Sequence, residues 1–195
     1  MAELLRHAFK EWAVICRALA TGRQSLILRK GGIAEPGRDG EFQLEAKRVW
    51  LLPTFVHQQE TGIREEALPM LEEVRVAHPP ADRIRLEAWA EVTGVYEVRA
   101  RLPAHIIAHL HFWSEDTVEK RFAYRHPGLN VLTVRVWRAP RSIEIPDLAE
   151  YRGCKSWVPL DPGIDTTDST PVLSDRDYRD VVTQLDTLLR PTAFA

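Results

Sequence analysis

Leu129 to Trp137 narrows the fold more than any other segment. Leu129, Val131, Thr133, Arg135 and Trp137 fall on one face of an extended chain, and Leu132, Val134 and Val136 on the other. Such alternation of β-branched and aromatic residues fits a pleated strand. Ser25–Arg29 and Arg83–Arg99 also read as strands, the second with Gly94 at a bulge or turn. Glu41–Leu52 reads as a strand stopped by Pro53, which has no N–H for a ladder. Trp157–Leu160 reads as a short last strand. Leu5, Phe9, Trp12, Cys16 and Leu19 recur at three- and four-residue spacing and predict a helix over residues 2–20. Further helices are expected over 62–76, 102–111, 115–124 and 175–189, the last two capped by Ser114 and Ser174. Residues 139–156 read as irregular and 161–170 as a linker. Helices and strands are interleaved without a regular βαβ series. The expectation is an α+β fold: a mixed, mostly antiparallel curled sheet or small barrel with flanking helices.

The 195 residues suit a main α+β unit over 1–160, followed by a linker and C-terminal helix over 161–195, packed on it or accessory. With 45% hydrophobic and 28% charged residues the chain has the makings of a core, so disorder throughout is excluded. The net charge of −2 offers no global attraction to phosphate backbones or anionic lipid. Nucleic-acid binding would need a local basic patch. The charged N-terminus is unlike a signal peptide, and no apolar run approaches the roughly 20 residues that span a bilayer. The expected location is the cytoplasm, with Cys16 and Cys154 both reduced and no membrane partner.

Several clusters could carry chemistry. Arg29, Lys30, Gly31 and Gly32 combine two cations with a glycine turn whose N–H groups can face an anion, without the spacing of a P-loop. Thr54, His57 and Gln58 follow a strand end, where His57 could act as a base and Thr54 as a hydroxyl nucleophile. Arg152, Cys154, Lys155, Ser156 and Trp157 place a thiol among cations and an aromatic ring, a setting that lowers a thiol pKa. His105 and His109 have metal-ligand spacing on a helix, but no HExxH motif or nearby carboxylate completes a set, so no metal or cofactor is expected. Glu45 and Lys47 match the acid-x-lysine pair of some nucleases, a pattern that recurs by chance.

Taken together, Phe9-Lys10-Glu11-Trp12-Ala13-Val14, Leu28-Arg29-Lys30-Gly31-Gly32-Ile33, Leu52-Pro53-Thr54-Phe55 with His57-Gln58, and Tyr151 to Trp157 resemble a bacterial uncharacterised family, domain of unknown function 1802. The resemblance runs from Phe9 to Leu160, leaves Asp161–Ala195 outside, and implies one recurring domain without an activity. A shorter stretch, Thr21-Gly22-Arg23-Gln24 and a strand ending in Arg29, is similar to the opening of ASCH and other PUA-like domains. That likeness implies a small β-barrel that binds RNA or modified nucleosides. Gln24 stands where the motif has lysine, so hydrolysis of modified bases is not carried over.

The leading expectation is a binding or accessory domain. Arg29, Lys30, Gly31, Gly32, His57, Gln58, Arg152, Lys155, Ser156 and Trp157 would form a basic-aromatic cleft for an anionic ligand such as a nucleotide or RNA. One alternative is a small hydrolase using His57 with Thr54 or Cys154. The other is a structural or protein-partner module, marked by an exposed apolar patch.

Overall fold

The computed structural model describes residues 3–30, 44–153 and 155–189. Among these, seven strands form one sheet: β1 Leu4–Trp12, β2 Leu26–Arg29, β3 Arg48–Thr54, β4 Arg83–Val98, β5 Leu129–Pro146, β6 Trp157–Asp165 and β7 Thr170–Pro171. The order is β2-β5-β4-β3-β1-β6, with β7 also paired to β5. Only β1 and β3 run parallel. The sheet is curled and does not close, so β2 and β6 lie at its two ends. This is the α+β architecture expected, as an open curled sheet rather than a closed barrel. The helices are α1 Ala13–Ala20, α2 Leu68–Val76, α3 Arg101–Ile106, α4 Glu115–Ala123 and α5 Asp175–Leu189. No helix among the described residues is long and apolar enough to cross a membrane.

Both faces of the sheet are covered. Val49 and Leu51 of β3 join one buried cluster with Phe9, Leu19, Val131 and Trp113, while Trp50 and Leu52 join a second with Leu5, Ala8, Leu86 and Val158. The alternation along β3 is thus apolar on both sides, as a doubly covered strand requires. β4 and β5 form the longest ladder, in which Trp89 and Trp137 stand opposite and stack at 4.2 Å. Gly94 sits at the register shift expected of it.

The structure corrects the first helix. Residues 4–12 form a strand, and helix begins only at Ala13. A register shift between Leu5 and His7 resets the alternation, so that Ala8 joins Leu5 on one face and Phe9 faces the other. The apolar spacing then imitates a helix, while ladders to β3 and β6 override local propensity. Pro53 does not end β3: it pairs with Glu11 in the parallel ladder, one residue from the strand end, where a missing donor costs little. The strand expected from Glu41 starts at Arg48, and its first three residues lie outside the described ones.

The helix expected from Gly62 begins at Leu68, after two short 3-10 turns, with Pro69 in its first turn. Residues 139–146, read as irregular, continue β5, and residues 161–165 of the expected linker continue β6. Ser114 and Ser174 accept N–H bonds from Thr117 and Asp177, at 3.3 and 3.2 Å, as helix caps should. α5 turns Tyr178 and Leu185 inward, and Leu185 is fully buried.

Candidate functional site

The ends of β1 and β3, the turn after β3 and the segment from Asp147 to Ser156 line one cleft of about 660 Å³. β1 and β3 are parallel neighbours, so their C-terminal ends arrive on the same side of the sheet. Arg29, Thr54, His57, Arg152, Lys155 and Ser156 all line this cleft, joined by Phe55, His78 and Tyr151. The three segments separated in sequence therefore meet. His57 adopts φ 63, a left-handed conformation uncommon for a residue with a Cβ, in the tight turn that follows β3. The rings of Phe55 and His78 lie 3.9 Å apart between their centroids.

Other expected ligand residues stand elsewhere. Gln58 Oε1 accepts the Val14 N–H at 2.9 Å and so caps the first turn of α1. Lys30 turns its ammonium to the carbonyls of His126, Gly128 (2.7 Å) and Phe122 (3.4 Å). Trp157 is buried and packs edge-on against Phe9 at 5.0 Å. These placements follow from physics the sequence conceals: the Gln58 amide and the Lys30 ammonium go where backbone groups pair with them, and the Trp157 ring packs into the core. Gly31, Gly32 and Cys154 lie outside the described residues. Cys16 is a buried core thiol whose pKa burial pushes up, reinforced by the nearby Glu11 carboxylate.

The structure adds residues that sequence reasoning passed over. Lys10, Glu11 and Trp12 from β1 and Arg121 from α4 also line the cleft. Lys10 donates to the carbonyls of Tyr151 and Gly153 (3.1 Å), which ties β1 to the Asp147–Ser156 segment. Arg121 lies over the Trp113 ring at 3.6 Å and donates to Leu28 O at 3.2 Å. Desolvation lowers its guanidinium pKa to about 10; Glu11 opposes this drop and Arg29 adds to it. Arg121 stays charged at neutral pH. Arg29 stands over the Phe9 ring at 5.0 Å. Nothing in the sequence singled out Glu11, which lies off the apolar stripe of the helix expected over residues 2–20.

Gly62 supports this wall. A Cβ there would lie 2.4 Å from Cη2 of Trp12, the ring that separates the cleft from a neighbouring hollow lined by Lys120 and Tyr124. Gly62→Ala is expected to cost about 1–3 kcal/mol through overpacking and to displace Trp12. Urea unfolding monitored by circular dichroism checks it; an unchanged midpoint would show that Trp12 yields without cost.

The histidines do not converge. His105 stands 3.4 Å from Glu115, His109 contacts Gln184 at 2.7 Å, and His111 is buried. No group of three potential metal ligands occurs among the described residues. Lys47 pairs with Glu91 at 3.0 Å, away from the cleft.

A family model described as Domain of unknown function (DUF1802) matches residues 8–184. The chain belongs to this family. The match continues past Leu160, where the sequence resemblance was expected to end, and takes in β7 and most of α5. Every described residue that lines the cleft thus lies inside the family domain. Among solved structures, the chain is similar to ASCH from Zymomonas mobilis at 12% identity and a TM-score of 0.46, covering 91% of this chain and 93% of that one. It is also similar to a point mutant of the same protein, at 11% identity and a TM-score of 0.47, covering 94% and 99%. No curated protein matches the chain.

Proposed function

We propose that this domain binds an anionic ligand, a nucleotide or a segment of RNA, in the cleft between the ends of β1 and β3 and the Asp147–Ser156 segment. One observation carries the reading. In a chain of net charge −2, seven basic side chains line a single cleft against two carboxylates, Glu11 and Asp147. Trp12, Phe55, His57 and His78 stand among them and offer faces on which bases can stack. Arg29, Arg152 and Lys155 meet phosphate, and Ser156 adds a hydroxyl. In this reading the domain works in the cytoplasm.

Binding fits the geometry better than hydrolysis. Thr54 and His57 share the cleft, but no hydrogen bond joins them among the described residues. The Thr54 hydroxyl instead accepts the Val56 N–H at 3.3 Å.

The test is fluorescence anisotropy with a labelled short oligoribonucleotide and with competing mononucleotides over a salt series. Affinity should fall as salt rises, because phosphate contacts release counterions. Arg152→Glu and Lys155→Glu should each weaken binding about tenfold and reduce the salt slope by about one. Arg152 is mostly exposed, so its replacement leaves the core intact. No binding to RNA or to any nucleotide at low salt would sink the proposal.

A further inference from the structure

We infer that Glu11 reads the base of the bound nucleotide, and that this base is guanine. The inference rests on the reading of the cleft as a nucleotide or RNA site. Glu11 is the last but one residue of β1, lines the cleft and is only 3% exposed. Its Oε1 accepts the Trp12 N–H at 2.9 Å, which fixes the carboxylate in orientation. Its Oε2 is buried and has no hydrogen-bond partner. Lys10, Arg29 and Arg121 line the same cleft, yet Glu11 forms no ion pair with any of them among the described residues. A buried carboxylate oxygen without a donor is destabilising, and water or another protein group normally satisfies it. In the occupied cleft that donor comes from the ligand.

The chemistry of that donor is constrained. A carboxylate only accepts, so the ligand must present N–H or O–H. A cationic group is repelled by the basic walls, which leaves a neutral donor on a molecule that also carries phosphate. A nucleotide has both. Guanine offers two adjacent donors, N1–H and the 2-amino group, on one edge. Adenine and cytosine place a ring-nitrogen acceptor beside their amino group, and uracil flanks its N–H with two carbonyls. Each of these three points an acceptor at the carboxylate. With Oε2 unpaired and a second lone pair left on Oε1, Glu11 matches the guanine edge, while Trp12 and Phe55 supply ring faces nearby.

Isothermal titration with GMP, AMP, CMP, UMP and inorganic pyrophosphate tests this on the full chain. The wild type is expected to bind GMP about tenfold or more above the other three, the discrimination typical of a paired donor edge. Glu11→Gln should bring the four nucleotides within about threefold and tighten pyrophosphate, since a negative charge leaves the cleft. Glu11→Asp keeps the charge but shortens its reach, and should retain part of the preference. If Glu11→Gln does not fold, the base ranking of the wild type together with Glu11→Asp decides. Equal binding of all four nucleotides to the wild type overturns the inference and leaves the cleft a phosphate site. A guanine preference that survives Glu11→Gln overturns it as well. Failure of every nucleotide and of pyrophosphate to bind would instead remove the proposed function itself.

Discussion

Trp113→Ala is expected to lose about 3–5 kcal/mol of stability, the usual cost of emptying a fully buried indole site. Trp113 is 1% exposed, and its ring lies between Trp12, with centroids 4.7 Å apart, and the Arg121 guanidinium at 3.6 Å. Removing it creates a cavity and takes away the platform under two residues of the cleft wall. The second effect is separable from the first. Under conditions where the variant remains folded, its affinity for RNA or nucleotide should drop about tenfold, since a cation released from its ring samples more rotamers. Trp113→Phe keeps a ring in place and should cost less on both counts. Urea denaturation gives the stability change and anisotropy gives the affinity. A stability loss under about 1 kcal/mol would mean that the site collapses around the smaller side chain.

Stability should also fall on mild acidification, through His111. Its imidazole is 2% exposed and neither ring nitrogen has a hydrogen-bond partner. Burial, aided by the charges of Arg64 and Arg121 and by His109, pushes its pKa down to about 4. The folded protein thus keeps this ring neutral, while the unfolded chain takes up a proton near the ordinary value of about 6.5. The contribution is complete above that value and is lost progressively as the pH falls towards 4. Over that window it amounts to about 3 kcal/mol. His111→Phe should flatten this part of the profile and leave stability at pH 7.5 close to that of the wild type, because no hydrogen bond is given up. Urea midpoints of both proteins at pH 7.5, 5.5 and 4.5 decide it. Parallel slopes would show that carboxylates rather than His111 set the acid response.

The fold was legible where one periodicity held without competition. β4, α4, α5 and residues 129–137 of β5 follow their patterns, and Gly94, Ser114 and Ser174 do what such residues do at bulges and caps. β1 was illegible because a single register shift made a strand imitate helical spacing, and only its partners β3 and β6 resolve that ambiguity. The cleft was half legible. Polar residues at strand ends, such as Thr54 and His57, announce themselves, whereas Glu11 and Arg121 looked like ordinary members of amphipathic helices. Their roles depend on a meeting of β1 with α4 more than a hundred residues along the chain, which no local pattern encodes. Gln58 and Lys30 carried the opposite error: conspicuous in sequence, they are occupied by backbone N–H and carbonyl groups.

An open sheet leaves outer strands that another chain could extend. On β6 the invitation is weak. Pro159 and Pro162 remove two amide donors within nine residues, and Asp161, almost wholly exposed, sets a charge between them. A strand so interrupted is a poor template for intermolecular pairing. The unclosed side of the sheet is thereby guarded against aggregation at high concentration, and replacing either proline by a β-branched residue would open that edge to it.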